Sequence, residues 1–292
     1  MILIFGAHGQ VGWALQRSLA LLAPVQALGR EAVALESPAA VQALLQAMRP
    51  LAVVSAAAYT AVDKAEQEPT LAFAVNAAAP AAMAEAAAAL GIPFIHFSSD
   101  YVYPGDKQGR YTETDPTGPL STYGRSKLAG DEGVLAAGAN AVILRTSWVY
   151  AARGHNFVKT MLRLGRERES LRVVADQVGA PTSAELLADV TAHVLKHQLA
   201  GAAVRGVYHC VAAGDTSWHG FACHIFAQAA ALGAQLTITP AQVEAITTAE
   251  YPTPARRPPN SRLDCSKLER TFGLQLPPWQ WHVDRTLKEL LA

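Results

Sequence analysis

The stretch Ile2-Leu3-Ile4-Phe5-Gly6-Ala7-His8-Gly9-Gln10-Val11-Gly12 decides the fold of this chain. Its apolar residues 2–5 predict a short buried strand, and the residues after the glycines predict a helix that runs to about Leu22. Gly6, Gly9 and Gly12 have the GxxGxxG spacing in this strand–turn–helix context. Glycines permit the tight turn and let the backbone approach a pyrophosphate at the positive end of the helix. The stretch therefore predicts a dinucleotide site, against the alternative of an ordinary glycine-bearing turn.

Strands and helices alternate from this stretch to residue 150. The predicted strands are residues 25–28, 51–55, 93–97 and 141–145, and the predicted helices are residues 39–48, 70–90 and the segment that carries Tyr123. This order predicts an α/β fold, a Rossmann-type doubly wound parallel sheet whose ligands bind at its carboxyl edge. Small, hydroxyl and aromatic residues follow three of these strands, at residues 56–60, 98–101 and 146–150. We therefore expect the site at those strand ends.

The pattern is looser after Tyr150. Helices are predicted at residues 156–168, 184–199, 218–232 and 283–291, and short strands at residues 171–174, 207–210 and 236–239. We expect residues 1–150 to form an NAD(P)-binding domain and residues 151–292 to form mainly a smaller α/β substrate-binding lobe. Residues 182–210 are expected to return to the first domain.

Tyr123 and Lys127 stand four residues apart, so a helix places them on one face, one turn from each other. An ammonium in this position stabilises a phenolate and lowers the pKa of the phenol from its ordinary ~10. Such a tyrosine can exchange a proton with an alcohol or a developing alkoxide near neutral pH. On spacing alone, a pair of surface neighbours is the commoner explanation, so the interpretation depends on the rest of the chain.

The end of the second predicted strand bears on the choice of cofactor. Folds that prefer NAD commonly have an acidic residue there to bind the ribose hydroxyls, whereas an arginine accepts the additional phosphate of NADP. This chain has Gly29 and Arg30 at these positions. We predict that NADPH is preferred and NADH is still used; in the alternative, the Arg30 side chain points to solvent.

Two further groups of residues each allow a functional and a structural interpretation. Arg256 and Arg257 lie in the basic, proline-stiffened stretch 251–261, where they either bind a phosphorylated substrate or belong to a solvated loop. His193 and His197 lie four apart on a predicted helix. An exposed helix face is favoured over a zinc site there, because no third ligand is near in sequence.

Composition excludes several classes of protein. The 292 residues include 24 Lys and Arg and 24 Asp and Glu, which gives no electrostatic reason to expect nucleic acid or an anionic membrane surface as a partner. With 51% hydrophobic and 16% charged residues, the chain is typical of a compact globular protein. The three cysteines are too few and too scattered for a disulfide framework, which fits a reducing compartment. No targeting segment is recognised, and Pro80 and Glu85 interrupt the alanine-rich residues 77–90, so we expect a soluble, cytoplasmic protein.

The glycine-rich turn, the strand end Ser98-Ser99-Asp100-Tyr101 and the Tyr123/Lys127 pair together resemble the extended short-chain dehydrogenase/reductase superfamily. More closely, the chain resembles the dTDP-4-dehydrorhamnose reductase family. This resemblance covers nearly the whole length, and its more specific segments are residues 9–13, 60–66, 145–150, 176–182 and 251–263.

The resemblance implies roles for individual residues. Tyr123 would be the proton donor, Lys127 would lower its pKa and hold the nicotinamide ribose, and Ser99 would polarise the ketone oxygen. Asp100 and Trp148 would contact the sugar nucleotide. With the features described above, the expected cofactor contacts are Gly6, Gly9, Gln10, Val11, Gly12, Arg30, Ala57, Ala58, Tyr59, Thr60, Tyr123 and Lys127.

The implied reaction is hydride transfer from NAD(P)H to the 4-keto group of dTDP-4-dehydro-L-rhamnose, which gives dTDP-L-rhamnose for cell-surface polysaccharide synthesis. The resemblance also allows a homodimer. Two other functions stay open at this point. One is a non-catalytic NADP-binding subunit that resembles the β-subunit of methionine adenosyltransferase, and the other is a different sugar-nucleotide reductase, epimerase or dehydratase.

The sequence departs from the family pattern at several acidic positions. The family often has acids on the adenosine side of the cofactor, where this chain has Gly29 and Ala34. Members linked to magnesium carry an acid early in the first helix, where this chain has Ala14, although Glu185 and Glu289 remain near the other acidic positions. We therefore expect no structural metal.

Overall fold

The glycine-rich turn joins the first strand of a six-stranded sheet to the first helix. The computed structural model describes all residues, 1–292. The strands are β1 (Ile2–Phe5), β2 (Val25–Leu28), β3 (Ala52–Ser55), β4 (Phe94–Ser99), β5 (Ala141–Thr146), β6 (Val149–Tyr150), β7 (Leu171–Val174), β8 (Val178–Gly179), β9 (Thr182–Ser183), β10 (Gly206–His209), β11 (Thr216–Ser217) and β12 (Val243–Ile246). The main sheet has the order β10-β5-β4-β3-β1-β2, and all of its pairs are parallel. The strand order reverses direction beside β1, so the predicted doubly wound sheet is confirmed.

Helices cover both faces of this sheet. They are α1 (Gln10–Leu19), α2 (Pro38–Met48), α3 (Val62–Ala65), α4 (Pro69–Phe73), α5 (Ala79–Leu90), α6 (Thr122–Ala136), α7 (Phe157–Glu167), α8 (Ala184–Leu199), α9 (Trp218–Ala231), α10 (Ser266–Phe272) and α11 (Trp279–Leu291). A π-helical turn, Ala74–Ala78, joins α4 to α5. Short 3₁₀ turns occupy Asp100–Val102, Pro240–Gln242 and Thr248–Glu250.

The first strand shows why the sheet is buried on both faces. Successive side chains of a strand point to opposite faces, so β1 sends Ile2 and Ile4 to one core and Leu3 and Phe5 to the other. The larger core contains 38 buried residues and lies on the side of α1, α8 and the C-terminal elements. The second core contains 17 buried residues and lies under α2 and α5. Such two-sided burial is typical of parallel sheets and explains the continuous apolar runs of the strands.

Most predicted elements are found within a few residues, but three predictions are wrong. Residues 236–239 do not form a strand, because the N–H groups of Thr237 and Ile238 both donate to the carbonyl of Gly165 at the end of α7 (2.8 and 3.2 Å). The strand of this region is instead β12, which pairs in parallel with β7. The last helix begins at Trp279, four residues before the predicted start, and the first ends at Leu19, before the predicted Leu22.

The C-terminal half contributes one strand to the main sheet and three small pairs of its own. Strand β10 lies at the edge of the main sheet beside β5, with Val207 opposite Ile143. The small pairs are β6 with β9, β8 with β11, and β7 with β12. The division of the chain into two functional regions stays a prediction.

One helical stretch, Pro69–Leu90, is long and apolar enough to span a membrane, with 22 residues and a mean hydropathy of 1.3. Half of its most apolar window is buried inside the protein, in contact with α2 and α6. A core helix passes the same test of length and composition, so this stretch is weak support for a membrane span.

Candidate active site

The glycine-rich turn packs closely against the ends of the two strands that flank β1. The N–H groups of Gly6 and Ala7 donate to the carbonyl of Leu28 at the end of β2 (2.9 and 3.0 Å). Gly6 has a φ of 100°, and a Cβ at this position would lie 2.7 Å from the amide nitrogen of Ala57 after β3. A Cβ on Gly12 would collide with the carbonyl of Gly6. Both glycines are therefore required for the close packing of turn, helix and strand, and the N-terminus of α1 is left facing the carboxyl edge of the sheet.

The segment after β3 is held by Asn76, a residue that no sequence motif singled out. The side chain of Asn76 accepts a hydrogen bond from Tyr59 N (2.8 Å) and donates to Tyr59 O (3.0 Å). It also donates to Ser126 Oγ on α6 (3.0 Å). Asn76 lies on the π-helical turn, a feature often found at functional sites. Ala57, Ala58 and Tyr59 are thus held half-buried at the strand end, with Thr60 exposed beside them.

Ser99 and Asp100 lie together at the end of β4. Ser99 Oγ donates to Asp100 Oδ1 (2.9 Å) and accepts from Tyr101 N (3.2 Å). Burial raises the pKa of Asp100 to about 6, while the hydroxyls of Ser261 and Ser99 act in the opposite direction. Asp100 Oδ2 is buried without a hydrogen bond of good geometry. A buried acceptor of this kind is suited to a hydroxyl of a bound ligand.

Tyr123 and Lys127 lie on α6, which packs against β4 and the 3₁₀ turn that follows it. Burial raises the pKa of the Tyr123 phenol above its ordinary value, and a hydrogen bond with Ser99 lowers it in part. Lys127 is 2% exposed, and its ammonium donates to Phe97 O (2.6 Å) and lies 3.4 Å from His96 Nε2. The Lys127 ammonium thus binds the strand, and burial is the largest influence on the pKa of the phenol, so the lowering of that pKa by Lys127 stays a prediction.

A buried polar chain runs from the Lys127 side of the site to β10. Asp131, one turn after Lys127, forms a buried salt bridge with Arg145 (Oδ2 to Nε, 2.9 Å). Arg145 donates to the hydroxyl of Tyr103 (2.8 Å), which lies 2.8 Å from His209 Nε2. No local pattern in the sequence indicates this chain of contacts, because its members lie on four different segments. It fixes α6 relative to β5 and β10.

The proline-stiffened stretch brings one of its two arginines to this edge of the sheet. Arg257 forms a salt bridge with Asp63 (Nη2 to Oδ2, 2.7 Å) and donates to the hydroxyl of Tyr101 (3.1 Å). The Tyr101 ring in turn packs edge-on against Tyr123, with ring centroids 5.4 Å apart. Arg256 is exposed and makes no side-chain hydrogen bond or ion pair. The structure thus connects Arg257, but not Arg256, to Tyr123 through Tyr101.

Trp148 lies after β5 in an uncommon backbone conformation, with a φ of 48°. Its ring stacks on Trp218 with centroids 3.6 Å apart and lies against Gly179, where a Cβ would approach the ring to 2.8 Å. Residues with positive φ that are not glycine are uncommon, and they occur often at ligand sites. The half-buried ring is held in place by packing rather than by hydrogen bonds.

The acids and histidines that could bind a metal are engaged elsewhere or exposed. Glu185 forms an ion pair with Arg285 (3.6 Å), and Glu289 is exposed. His197 Nδ1 lies 2.8 Å from the backbone carbonyl of His193, an exposed contact between residues one helical turn apart. No group of three or more His, Cys, Asp or Glu residues is arranged to hold a metal ion.

Fold and site together define a class of protein. The parallel sheet carries a glycine-rich turn after β1, and the Tyr123 and Lys127 pair lies on a helix beside the carboxyl end of β4. This arrangement is that of an extended short-chain dehydrogenase/reductase.

Comparison with known proteins gives the particular family. The family described as "RmlD substrate binding domain" matches residues 1–292. A dTDP-4-dehydrorhamnose reductase of Escherichia coli (strain K12) is 48% identical over 295 residues, covering 100% of this chain and 98% of the relative. The crystal structure of a dTDP-4-dehydrorhamnose reductase from Clostridium acetobutylicum has a TM-score of 0.91 at 36% identity and covers 100% of this chain and 99% of that chain. The enzyme of that name from Bacillus anthracis, solved in complex with NADP, has a TM-score of 0.89 at 35% identity, with coverage of 99% and 98%. The chain belongs to the dTDP-4-dehydrorhamnose reductase family.

Proposed function

We propose that this chain reduces the 4-keto group of dTDP-4-dehydro-L-rhamnose to give dTDP-L-rhamnose, with NADPH as the preferred cofactor and NADH as a second one. The full-length relatives of this name support the proposal. The structural observation that carries it is the placement of Ser99, Tyr123 and Lys127 at the end of β4, on the same edge of the sheet as the glycine-rich turn. The product would be a precursor of cell-surface polysaccharide.

The residues present fit a nicotinamide dinucleotide. The N-terminus of α1 is preceded by glycines that leave no side chain over the turn, which suits a pyrophosphate. Gly9, Gln10 and Val11 would hold that group, and Ala57 to Thr60 would line the cofactor after β3. Tyr123 and Lys127 would hold its nicotinamide ribose. When bound, NADPH supplies the hydride that is added to the carbonyl carbon.

Residues of the chain would donate the proton and stabilise the negative charge that develops on the carbonyl oxygen. The raised pKa keeps Tyr123 protonated at neutral pH, so the phenol holds the proton that the carbonyl oxygen receives. Ser99 would turn its hydroxyl from Asp100 to the ketone oxygen and polarise it. The Lys127 ammonium, released from the carbonyl of Phe97, would stabilise the phenolate that Tyr123 becomes. Once so directed, these donors face the oxygen on which negative charge develops, and electrostatic stabilisation of this kind is usually the largest contribution to catalysis.

The substrate contacts follow from the same edge of the sheet. Asp100 Oδ2 would accept a hydrogen bond from a sugar hydroxyl, since this buried oxygen has no well-placed donor within the protein. Trp148 would pack against the sugar nucleotide. Arg257 lies next to Tyr101 and would reach the diphosphate, with Arg256 at the exposed rim.

The organisation of the protein is proposed on related grounds. Residues 1–150 would bind the cofactor and residues 151–292 mainly the substrate, with residues 182–210 belonging to the first part because β10 extends its sheet. The three cysteines are free thiols, which supports a cytoplasmic location. A homodimer would have twice the 30.9 kDa of one chain, a mass that light scattering measures directly.

One assay separates the proposed reaction from its alternatives. NADPH oxidation is followed by the loss of the near-ultraviolet absorbance of the reduced nicotinamide, with dTDP-4-dehydro-L-rhamnose and with other 4-keto sugar nucleotides. Preferential turnover of the first supports the proposal. Tight NADPH binding without turnover of any of them would instead indicate the non-catalytic subunit, and turnover of a different sugar nucleotide would indicate another reductase.

A further inference from the structure

The end of β2 lacks the acidic side chain that binds the adenosine ribose hydroxyls in many dinucleotide folds. Gly29 stands at that position, directly after Leu28, whose carbonyl binds the glycine-rich turn. The backbone contacts to Gly6 and Ala7 place Gly29 beside the site proposed for the pyrophosphate. Any group in the space next to Gly29 therefore lies on the adenosine side of the cofactor.

That space is occupied by an acid from two residues further along the chain. The carboxylate of Glu31 turns back, so that a Cβ built on Gly29 would collide with both of its oxygens and its carboxyl carbon. His8, from the glycine-rich turn, lies near the same carboxylate (Nε2 to Oε1, 3.4 Å). A hydrogen bond to its own backbone N–H lowers the pKa of Glu31, and His8 and the backbone of Gly29 contribute in the same direction. Glu31 is thus ionised at neutral pH and directed to the end of β2.

We infer that Glu31 replaces the missing acid at Gly29 and binds the adenosine ribose hydroxyls of NADH, which makes it a determinant of cofactor specificity in this chain. The inference rests on the proposed use of a nicotinamide dinucleotide. A carboxylate accepts hydrogen bonds from two neighbouring hydroxyls and repels a phosphate in place of one of them. Arg30, its exposed neighbour without a side-chain partner, is available to the phosphate of NADPH. Glu31 and Arg30 therefore act in opposite directions on the preference between the two cofactors.

The test measures cofactor binding without any sugar substrate. Dissociation constants of NADH and NADPH are determined by isothermal titration calorimetry for the wild type and for Glu31→Gln. Glutamine keeps the size of the side chain and removes its charge. We expect the substitution to weaken the binding of NADH by ~10-fold, as for loss of a hydrogen bond to a charged group. The binding of NADPH should become ~3-fold tighter, because the repulsion between the carboxylate and the phosphate is lost.

Two further variants make the result specific. Glu36→Gln removes an exposed acid from the same connection, one without a hydrogen bond or ion pair, and should change neither constant. Gly29→Asp in a Glu31→Ala background should restore NADH binding, because alanine vacates the space that the Glu31 carboxylate fills and φ of Gly29 is not positive. Equal changes for both cofactors, or unchanged NADH binding in a folded Glu31→Gln variant, would overturn the role of Glu31 alone. A wild type that binds neither cofactor would overturn the proposed function as well.

Discussion

Replacing Asp131 by asparagine should shift the alkaline limb of the pH profile of kcat/KM to lower pH. The proposed reaction uses the charged form of Lys127, whose pKa burial lowers from 10.5 to about 8. In the wild type, activity should therefore fall as the pH rises through about 8. The carboxylate of Asp131 opposes the effect of burial on Lys127, so its removal should lower the pKa of Lys127 further.

The size of the shift follows from the helix and the charges around it. Side chains four residues apart on a helix have Cβ atoms ~5–6 Å apart, and two unit charges ~6 Å apart interact by roughly 2.8 kcal/mol at an effective dielectric constant of ~20. That energy corresponds to ~2 pKa units, and screening by Arg145, the partner of Asp131, reduces it to ~1.5 units. A lysine of pKa ~8 is roughly three-quarters charged at pH ~7.5, whereas one of pKa ~6.5 is roughly one-tenth charged. We therefore expect kcat/KM to be ~8-fold lower at that pH in the variant, with recovery as the pH falls.

The assay is the pH dependence of kcat/KM for the wild type, Asp131→Asn and Glu132→Gln. Glu132 is the exposed acid next to Asp131 on α6, so its substitution controls for a general change of charge on the helix. Asparagine keeps an acceptor for Arg145, and circular dichroism at each pH establishes that the variant is folded. An alkaline limb at the same pH in wild type and folded Asp131→Asn would refute the argument that this carboxylate keeps Lys127 charged.

Three other predictions concern the proton donor, the metal and the cofactor. Tyr123→Phe should lower turnover by ~100- to 10,000-fold with little change in cofactor affinity, because it removes the acid and keeps the ring; near-normal turnover would mean that another group donates the proton. Activity should survive EDTA, since Ala14 leaves a carboxylate magnesium site incomplete; loss of activity that magnesium restores would show that other side chains bind the metal. NADPH should be preferred over NADH by ~5- to 100-fold in kcat/KM, and Arg30→Ala should reduce that preference, because an exposed guanidinium beside a phosphate contributes ~1 to 3 kcal/mol. A preference unchanged in Arg30→Ala would show that this arginine does not contact the phosphate.

The sequence alone determined the class of the fold and the edge of the sheet at which the site lies. These features depend on local signals: an apolar strand followed by spaced glycines, strands alternating with helices, and a tyrosine one helical turn from a lysine. Parallel strands end at a common edge, so the residues after β3, β4 and β5 were expected to meet there. The family resemblance added the chemistry that these residues are proposed to perform.

Only the tertiary structure decided which groups contact them. The ion pair of Arg257 with Asp63 joins residues 194 positions apart, and Asn76 reaches Tyr59 from a π-helical turn that no local pattern indicated. The acid missing at Gly29 is supplied by Glu31, which is apparent only once the chain is seen to turn back on itself. The pKa of Tyr123 also depends on packing, since burial of the phenol is the largest influence on it and the Lys127 ammonium binds the carbonyl of Phe97. Such contacts and the loss of solvent around them arise when distant segments pack together, so neither is encoded in the spacing of neighbouring residues.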